Sequence, residues 1–231
     1  LFVGVLFAQG VAITQPLDGL ITTEADQTVS YVFSEPGAVD QASVMLNVDG
    51  VDYPIGGPLV WTPVNLYFEI DTSGWGEGLH DLSLTANDSM GDPVAGTPLE
   101  TDFTVDLSGP YISARMPGAI GEAEPYLTTN MHEPVVVHIV DDLGVINSAS
   151  IQVMIDGTIY AEGDPGVYID PITDGYSFEF YPDSAGMAWE ENDWIDVELL
   201  AAEDSPHYGA ANTLQDMPEN TFGFWVDADG P

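Results

Sequence analysis

Most of the chain consists of short runs in which apolar and polar residues alternate, separated by Gly, Pro, Asn and Asp. In the first half, Val29, Tyr31 and Phe33 form one apolar set. Residues two apart share one face of a β-strand, so each run predicts a strand with one face in a core. No run has helical periodicity. The other sets are Val44, Leu46 and Val48; Leu66, Phe68 and Ile70; Leu82, Leu84 and Ala86; Val135, Val137 and Ile139; Ile151, Val153 and Ile155; Phe178 and Phe180; and Ile195, Val197, Leu199 and Ala201.

The two halves of the chain repeat one another. YVFSEPGAVDQASVMLNVDGVDY at residues 31–53 aligns with HIVDDLGVINSASIQVMIDGTIY at residues 138–160. Each copy places an Asp-Gly pair between two apolar runs, at Asp49-Gly50 and at Asp156-Gly157. Asp-Gly supplies the positive φ angles of a type I′ turn, which predicts a β-hairpin in each half.

Each half also ends with a similar segment, FTVDLSGP at residues 103–110 and FWVDADGP at residues 224–231. A period of roughly a hundred residues with about seven strands is the size of one immunoglobulin-like sandwich. We therefore predict an all-β chain of two tandem immunoglobulin-like β-sandwiches, residues 11–107 and 108–231, with an apolar N-terminal extension strand at residues 1–10.

The ends of the repeats carry a resemblance to a known family. GLHDLSLTANDSMGD followed by TDFTVDLSGP resembles the last two strands of bacterial immunoglobulin-like (Big-type) tandem repeats. VDDLGVINSASIQVMIDGTIY is similar to repeats of very long bacterial surface and secreted proteins. The resemblance covers residues 11–231 and implies an extended rod of repeats. The chain departs from common repeats in its near-total loss of Lys and Arg.

The first ten residues, LFVGVLFAQG, fit two interpretations. One is a donor strand that completes the sheet of a neighbouring subunit. The other is the end of a signal peptide, with Ala8-Gln9-Gly10 as the cleavage site. The apolar run is too short to span a bilayer. The candidate assembly strand consists of Leu1, Phe2, Val3, Val5, Leu6 and Phe7.

The charge balance narrows the choice of partners. The chain has 39 Asp and Glu, one Arg, no Lys and a formal net charge of -38. Phosphate binding requires Lys or Arg, so nucleic acid and anionic membrane surfaces are excluded as partners. Salt, divalent cations or low pH must screen the self-repulsion. The absence of Cys excludes disulfides and thiolate metal sites.

Carboxylates are the candidate ligands and the candidate catalysts. Adjacent pairs such as Asp141-Asp142 are expected by chance among 39 acids, and no nucleophile elbow is present, so we expect no enzyme and no required cofactor. Oxygen ligands in turns suit Ca²⁺. The candidate Ca²⁺ ligands are Asp88 and Asp92, in the turn at residues 87–92, and Asp106, Asp141 and Asp142, which are expected to converge near the linker. Asp204 and Asp227 are the second-repeat counterparts of Asp88 and Asp106.

These features favour a structural subunit or segment of an extracellular filament, stalk or surface layer, which assembles with copies of itself by β-strand addition. An alternative is an adhesin or carbohydrate-binding module, because Trp194 and Trp225 fall out of phase with the apolar sets and are expected to be exposed. A third interpretation is an accessory domain of a larger secreted enzyme. Asn87-Asp88-Ser89 is a glycosylation sequon.

Overall fold

The computed structural model describes residues 10–62, 65–68, 74–122 and 125–228. These residues pack into two compact units. Unit 1 holds the described residues up to Leu107 together with His207–Gly209, and unit 2 holds Ser108–Pro206 and the described residues from Ala210 on. The predicted assembly strand, with Leu1, Phe2, Val3, Val5, Leu6 and Phe7, lies outside the described residues.

The described part of unit 1 forms two sheets, with strand orders β1-β3-β7-β6 and β2-β9-β8-β4-β5. The short strand β2 pairs in parallel with β9, and the remaining pairs are antiparallel. The strands are β1 (Val11–Gln15), β2 (Leu20–Thr22), β3 (Val29–Phe33), β4 (Val39–Val48), β5 (Val51–Pro54), β6 (Leu59–Trp61), β7 (Asn65–Phe68), β8 (Gly78–Asp88) and β9 (Leu99–Val105).

Unit 2 repeats this plan strand for strand. Its sheets have the orders β10-β12-β16-β15 and β11-β18-β17-β13-β14, which are the orders of unit 1 with nine added to each strand number. One turn of α-helix, α1 (Pro182–Ala185), follows β16. The strands are β10 (Tyr111–Met116), β11 (Tyr126–Thr128), β12 (Val135–Val140), β13 (Gln152–Ile155), β14 (Thr158–Ala161), β15 (Val167–Ile172), β16 (Gly175–Phe180), β17 (Trp194–Ala201) and β18 (Thr221–Val226).

Both units are immunoglobulin-like sandwiches. In that fold, seven main strands divide into a sheet of four and a sheet of three. In unit 1 the sheet of four is β1, β3, β7 and β6, and the sheet of three is β9, β8 and β4, with β2 and β5 added at its edges. Unit 2 has the same division. The prediction of an all-β chain with immunoglobulin-like sandwiches is confirmed. Within the described ranges, no helix is both long and apolar enough to cross a membrane.

The described members of the alternating apolar sets form one core in each unit, and Ile70 lies outside the described residues. Tyr31, Leu46 and Phe103 are fully buried in unit 1, and Phe178 and Phe224 are fully buried in unit 2. Removing a side chain of this size from water stabilises the fold by about 1.5–3 kcal/mol. Within each strand, the period of two places these residues on one face of the sheet. The inner faces of the two sheets pack against each other to form the core.

The alternation fails at the end of β17. Leu199 pairs with Val153 and Ala201 pairs with Gln152, so Leu200 is an extra residue in a β-bulge. The bulge reverses the phase of the strand. Ala201, predicted to face the core, is only half-buried, and Ala202 is 1% exposed.

Both predicted hairpin turns are present. Asp49 and Gly50 have φ angles of 51° and 83°, and Asp156 and Gly157 have φ angles of 46° and 74°. Positive φ at both central residues defines the type I′ turn, whose twist matches that of the flanking strands. The turns connect β4 to β5 and β13 to β14.

Candidate metal centre

Asp141 begins the loop that follows β12. Its backbone N–H donates to the carbonyl of Asp174 (2.9 Å), and its side-chain Oδ1 accepts hydrogen bonds from the N–H groups of Leu143 (3.1 Å) and Gly144 (2.7 Å). The side chain is 3% exposed. Its other oxygen, Oδ2, is buried and has no hydrogen-bond partner among the described residues. A buried carboxylate oxygen without a partner is costly, because it has lost its hydration.

Asp204 lies in the loop that follows β17. It is also 3% exposed, and three hydrogen bonds join it to Asn212. The N–H of Asn212 donates to Oδ1 (2.7 Å), its Nδ2 donates to Oδ2 (2.8 Å), and its carbonyl accepts from the N–H of Asp204 (3.1 Å). Two of these bonds fix the carboxylate and the third fixes the backbone, so the side chain is held in one orientation.

The two loops are adjacent, and they bring the two carboxylates together. Ile146 and Asp204 form a β-bridge, and the N–H of Ser205 donates to the carbonyl of Val145 (2.6 Å). Carboxylate oxygens of Asp141 and Asp204 lie within 4.8 Å of one another. When both are ionised they repel by at least about 3 kcal/mol at an effective dielectric constant of about 20. A cation between them would remove this repulsion.

The corresponding corner of unit 1 places its two carboxylates in more exposed surroundings. Val29 pairs with Phe68 as Val135 pairs with Phe180, so Glu35, two residues after the end of β3, is the counterpart of Asp141, and it is exposed. Asp88 takes the place of Asp204, as the sequence repeat predicted, because its Oδ1 accepts from the N–H of Asp92 and its own N–H donates to the Asp92 carbonyl. Asp88 is half-buried and Asp92 is exposed. Of the two described corners, that of unit 2 therefore buries both carboxylates, and that of unit 1 buries neither fully.

The remaining candidate ligands lie in other surroundings. Asp142 is exposed, and its Oδ1 accepts a hydrogen bond from the hydroxyl of Tyr111 (3.1 Å). Burial and the neighbouring carboxylate of Asp142 raise the pKa of Tyr111. Asp106 follows β9 and is buried, and its backbone N–H donates a hydrogen bond to the carbonyl of Thr22. The predicted convergence of Asp106 with Asp141 and Asp142 stays a prediction.

A signal for the Asp141–Asp204 pair was present in the sequence. Ile139 is the last inward-facing apolar residue of β12, and Asp141 continues its period of two, whereas Asp142 falls in the outward phase. Asp204 likewise follows Ala202 by two residues. The bulge at Leu200 hides the second relation, since only the reversed phase puts Ala202 and Asp204 inward.

Two tryptophans form a matched pair of core anchors that sequence reasoning missed. Trp75 and Trp189 are each 4% exposed. The indole of Trp75 donates to the carbonyl of Gln27 (2.6 Å), and the indole of Trp189 donates to the carbonyl of Glu133 (2.9 Å). Each ring therefore ties the loop before the third strand of its unit to the core.

The other tryptophan pair does not form a flat platform. Trp225 is 40% exposed, and Trp194 is half-buried beside it on the neighbouring strand. Their ring centroids are 5.5 Å apart, with an angle of 61° between the planes. Stacking on the face of a sugar requires an accessible flat ring surface, and two tilted rings do not provide a shared one. Asn87 of the sequon lies at the end of β8 and is half-buried.

No family model matches the chain, and no curated protein matches it. Several solved structures are similar in fold. The fibronectin(III)-like modules of Clostridium thermocellum CbhA share 16% identity, with 96% of each chain covered and a TM-score of 0.31. The D00-D0 domain of intimin shares 9% identity, covering 93% of this chain and 98% of that one, with a TM-score of 0.36.

A tetra-tandem repeat from the extending region of a large adhesion protein shares 13% identity, covering 96% of this chain and 50% of that one, with a TM-score of 0.34. All three TM-scores are below 0.5. The fold is therefore assigned from the strand order of the two units, and no function is drawn from these structures.

Proposed function

We propose that the chain is a structural segment of an extracellular filament, stalk or surface layer that assembles with copies of itself. The observation that carries the proposal is the repetition of one complete nine-strand sandwich in each unit. Each unit has its own buried core. Tandem sandwiches of this kind supply length and stiffness, which are structural properties.

The edges of the four sheets indicate where another strand can add. Natural proteins protect edge strands by shortness, by proline or by β-bulges. Strands β2, β6 and β11 have three residues each, and β5 and β15 contain Pro54 and Pro171. Strands β1 and β10 have irregular pairing next to the edge.

This leaves β14 as the least protected edge among the described strands. Its four residues pair with β13 in regular register, without a bulge or a proline. Ile159 at its centre is 54% exposed. We propose β14 as the acceptor for the apolar segment at residues 1–7 of another copy, since strand addition forms main-chain hydrogen bonds and needs no opposite charge.

The test is an assembly assay with the 231-residue chain. In about 1 M NaCl the Debye length is about 3 Å, so the net charge no longer keeps copies apart. We expect concentration-dependent oligomers by light scattering and periodic filaments by electron microscopy. Deletion of residues 1–10 and the substitution Ile159→Lys should each leave monomers.

The control is Val51→Lys, because Val51 is 53% exposed on β5, the equivalent edge of unit 1, which Pro54 already protects. It adds the same charge and should leave assembly intact. A chain that stays monomeric at all salt concentrations contradicts the proposal. Equal loss of assembly in the Ile159 and Val51 variants contradicts the assignment to β14.

A further inference from the structure

We propose that Asp141 and Asp204 of unit 2 together bind one Ca²⁺ ion. The Oδ2 atom of Asp141 is buried, has no hydrogen-bond partner among the described residues, and belongs to a carboxylate within 4.8 Å of that of Asp204. A bound cation would supply the missing partner and neutralise both charges.

The local geometry holds both carboxylates ready for an ion. Oδ1 of Asp141 is occupied by the N–H groups of Leu143 and Gly144, which fixes the side chain and leaves Oδ2 available. The backbone N–H and the side-chain amide of Asn212 donate to the two carboxylate oxygens of Asp204. Because the ligands are already oriented, binding loses little side-chain entropy.

The chemistry of the donors selects a hard divalent cation. The two side chains offer only carboxylate oxygens, which suit Ca²⁺ and Mg²⁺ better than the softer transition metals. Ca²⁺ accepts irregular coordination by six to eight oxygens in loops, whereas Mg²⁺ demands an octahedron and gives up its water reluctantly. Two aspartates from two irregular loops therefore favour Ca²⁺.

The first experiment measures thermal unfolding of the 231-residue chain after removal of metal, in about 1 M NaCl to suppress diffuse binding to the many surface acids. Ca²⁺ at about a hundredfold excess over its dissociation constant should raise the melting temperature of the chain by roughly 5 °C or more. Asp141→Asn should abolish this increase. In chelator, the same variant should melt at or above the wild-type temperature, because the repulsion between the carboxylates is gone.

The substitution is mild, since asparagine keeps an oxygen that can accept from Leu143 and Gly144. Asp141→Ser and Asp204→Asn should behave in the same way. Asp142→Asn is the matched control: it removes one charge at the next residue, which is exposed, and it should retain the full Ca²⁺ effect.

Calorimetric titration with Ca²⁺ supplies an independent readout. We expect one saturable site in the wild-type chain and in Asp142→Asn, and an affinity at least about tenfold weaker in Asp141→Asn. An unchanged Ca²⁺ response in Asp141→Asn, or an equal loss in Asp142→Asn, would overturn the proposal. So would a wild-type chain whose melting temperature does not depend on Ca²⁺. Assembly of the chain is not measured in either experiment, so the outcome is separate from the test of strand addition.

Discussion

At the scale of the residue, position within a strand decides what an acidic side chain can do. Asp141 and Asp142 are neighbours of identical chemistry, yet the first is buried beside Asp204 and the second hydrogen-bonds Tyr111 at the surface. Period two predicts this difference once the strand direction is known. Sequence composition cannot, because it counts both among 39 acids.

The buried tryptophans give the first prediction. Trp189→Phe keeps the ring in the core but removes the indole N–H, so the carbonyl of Glu133 loses its donor. We expect unit 2 to lose about 1–3 kcal/mol in free energy of unfolding, measured by urea denaturation. Trp225→Phe, at a position 40% exposed, should change it by less than about 0.5 kcal/mol. Equal effects of both variants would show that the Trp189 hydrogen bond contributes nothing.

Tyr31 gives a prediction about alkaline pH. Burial raises the pKa of Tyr31, an effect that the nearby Thr101 hydroxyl partly offsets. The neutral phenol is therefore favoured in the fold. Its contribution to stability is complete below the unfolded-state pKa of about 10 and is lost as the pH rises from there toward the pKa in the fold.

Tyr31→Phe removes this ionisable group. The variant should lose less stability than wild type between about pH 9 and pH 11, measured as urea midpoints across the pH series. At pH 7 the two should differ by about 1 kcal/mol or less, because the hydroxyl does not reach hydrogen-bonding geometry in the core. A difference between variant and wild type that stays constant with pH would contradict the assignment.

At the scale of the element, the hairpin turns were the most predictable features and the bulge was the least. Asp-Gly between alternating runs dictates a type I′ turn by local φ preferences alone. The bulge at Leu200 arises from pairing with Gln152, a residue almost fifty positions earlier. Local alternation contains no information on such a pairing, which is why Ala201 was predicted on the wrong face.

The turn at Asp156-Gly157 gives a third prediction. Gly157 has φ +74°, and a Cβ there would meet nothing within 4 Å, so the cost of a side chain is conformational. Gly157→Val should destabilise unit 2 by about 1–3 kcal/mol, because β-branched residues are strained at positive φ. Thermal unfolding measures the effect. Gly37→Val, outside the positive-φ region and equally uncrowded, should cost less than half as much.

At the scale of the whole molecule, the net charge follows directly from the sequence, and folding does not change it. The single arginine, Arg115, donates to the carbonyl of Thr221, with its guanidinium 4.8 Å from the centre of the Phe222 ring. One guanidinium cannot offset a net charge of -38. The fold therefore depends on its medium for screening.

The fourth prediction concerns salt. Raising NaCl from about 0.05 M to about 1 M shortens the Debye length from over 10 Å to about 3 Å, which weakens repulsion among the surface carboxylates. We expect the melting temperature of the chain to rise by roughly several degrees. The measurement is made in the presence of a chelator, which excludes divalent ions. Sucrose at equal osmolality should not reproduce most of the rise. A melting temperature independent of NaCl would show that the repulsion is insignificant.

The repeated topology of the two units was largely predictable from the sequence, because the repeated sequence segments mark equivalent strands. The pairing of Asp141 with Asp204 was not, because it joins loops about sixty residues apart, whose approach depends on the order of strands in the sheet. The tryptophan anchors were hidden for the same reason, since the carbonyl that each indole contacts lies in a distant loop.

Burial, and not only the presence of an acid, separates the equivalent corners of the two units. Glu35 is exposed and Asp141 is 3% exposed, although both occupy the same position after the third strand of their unit. Among duplicated modules of this design, equivalent acids therefore differ in their surroundings when the loops around them differ, and a comparison of aligned sequences alone would not reveal the difference.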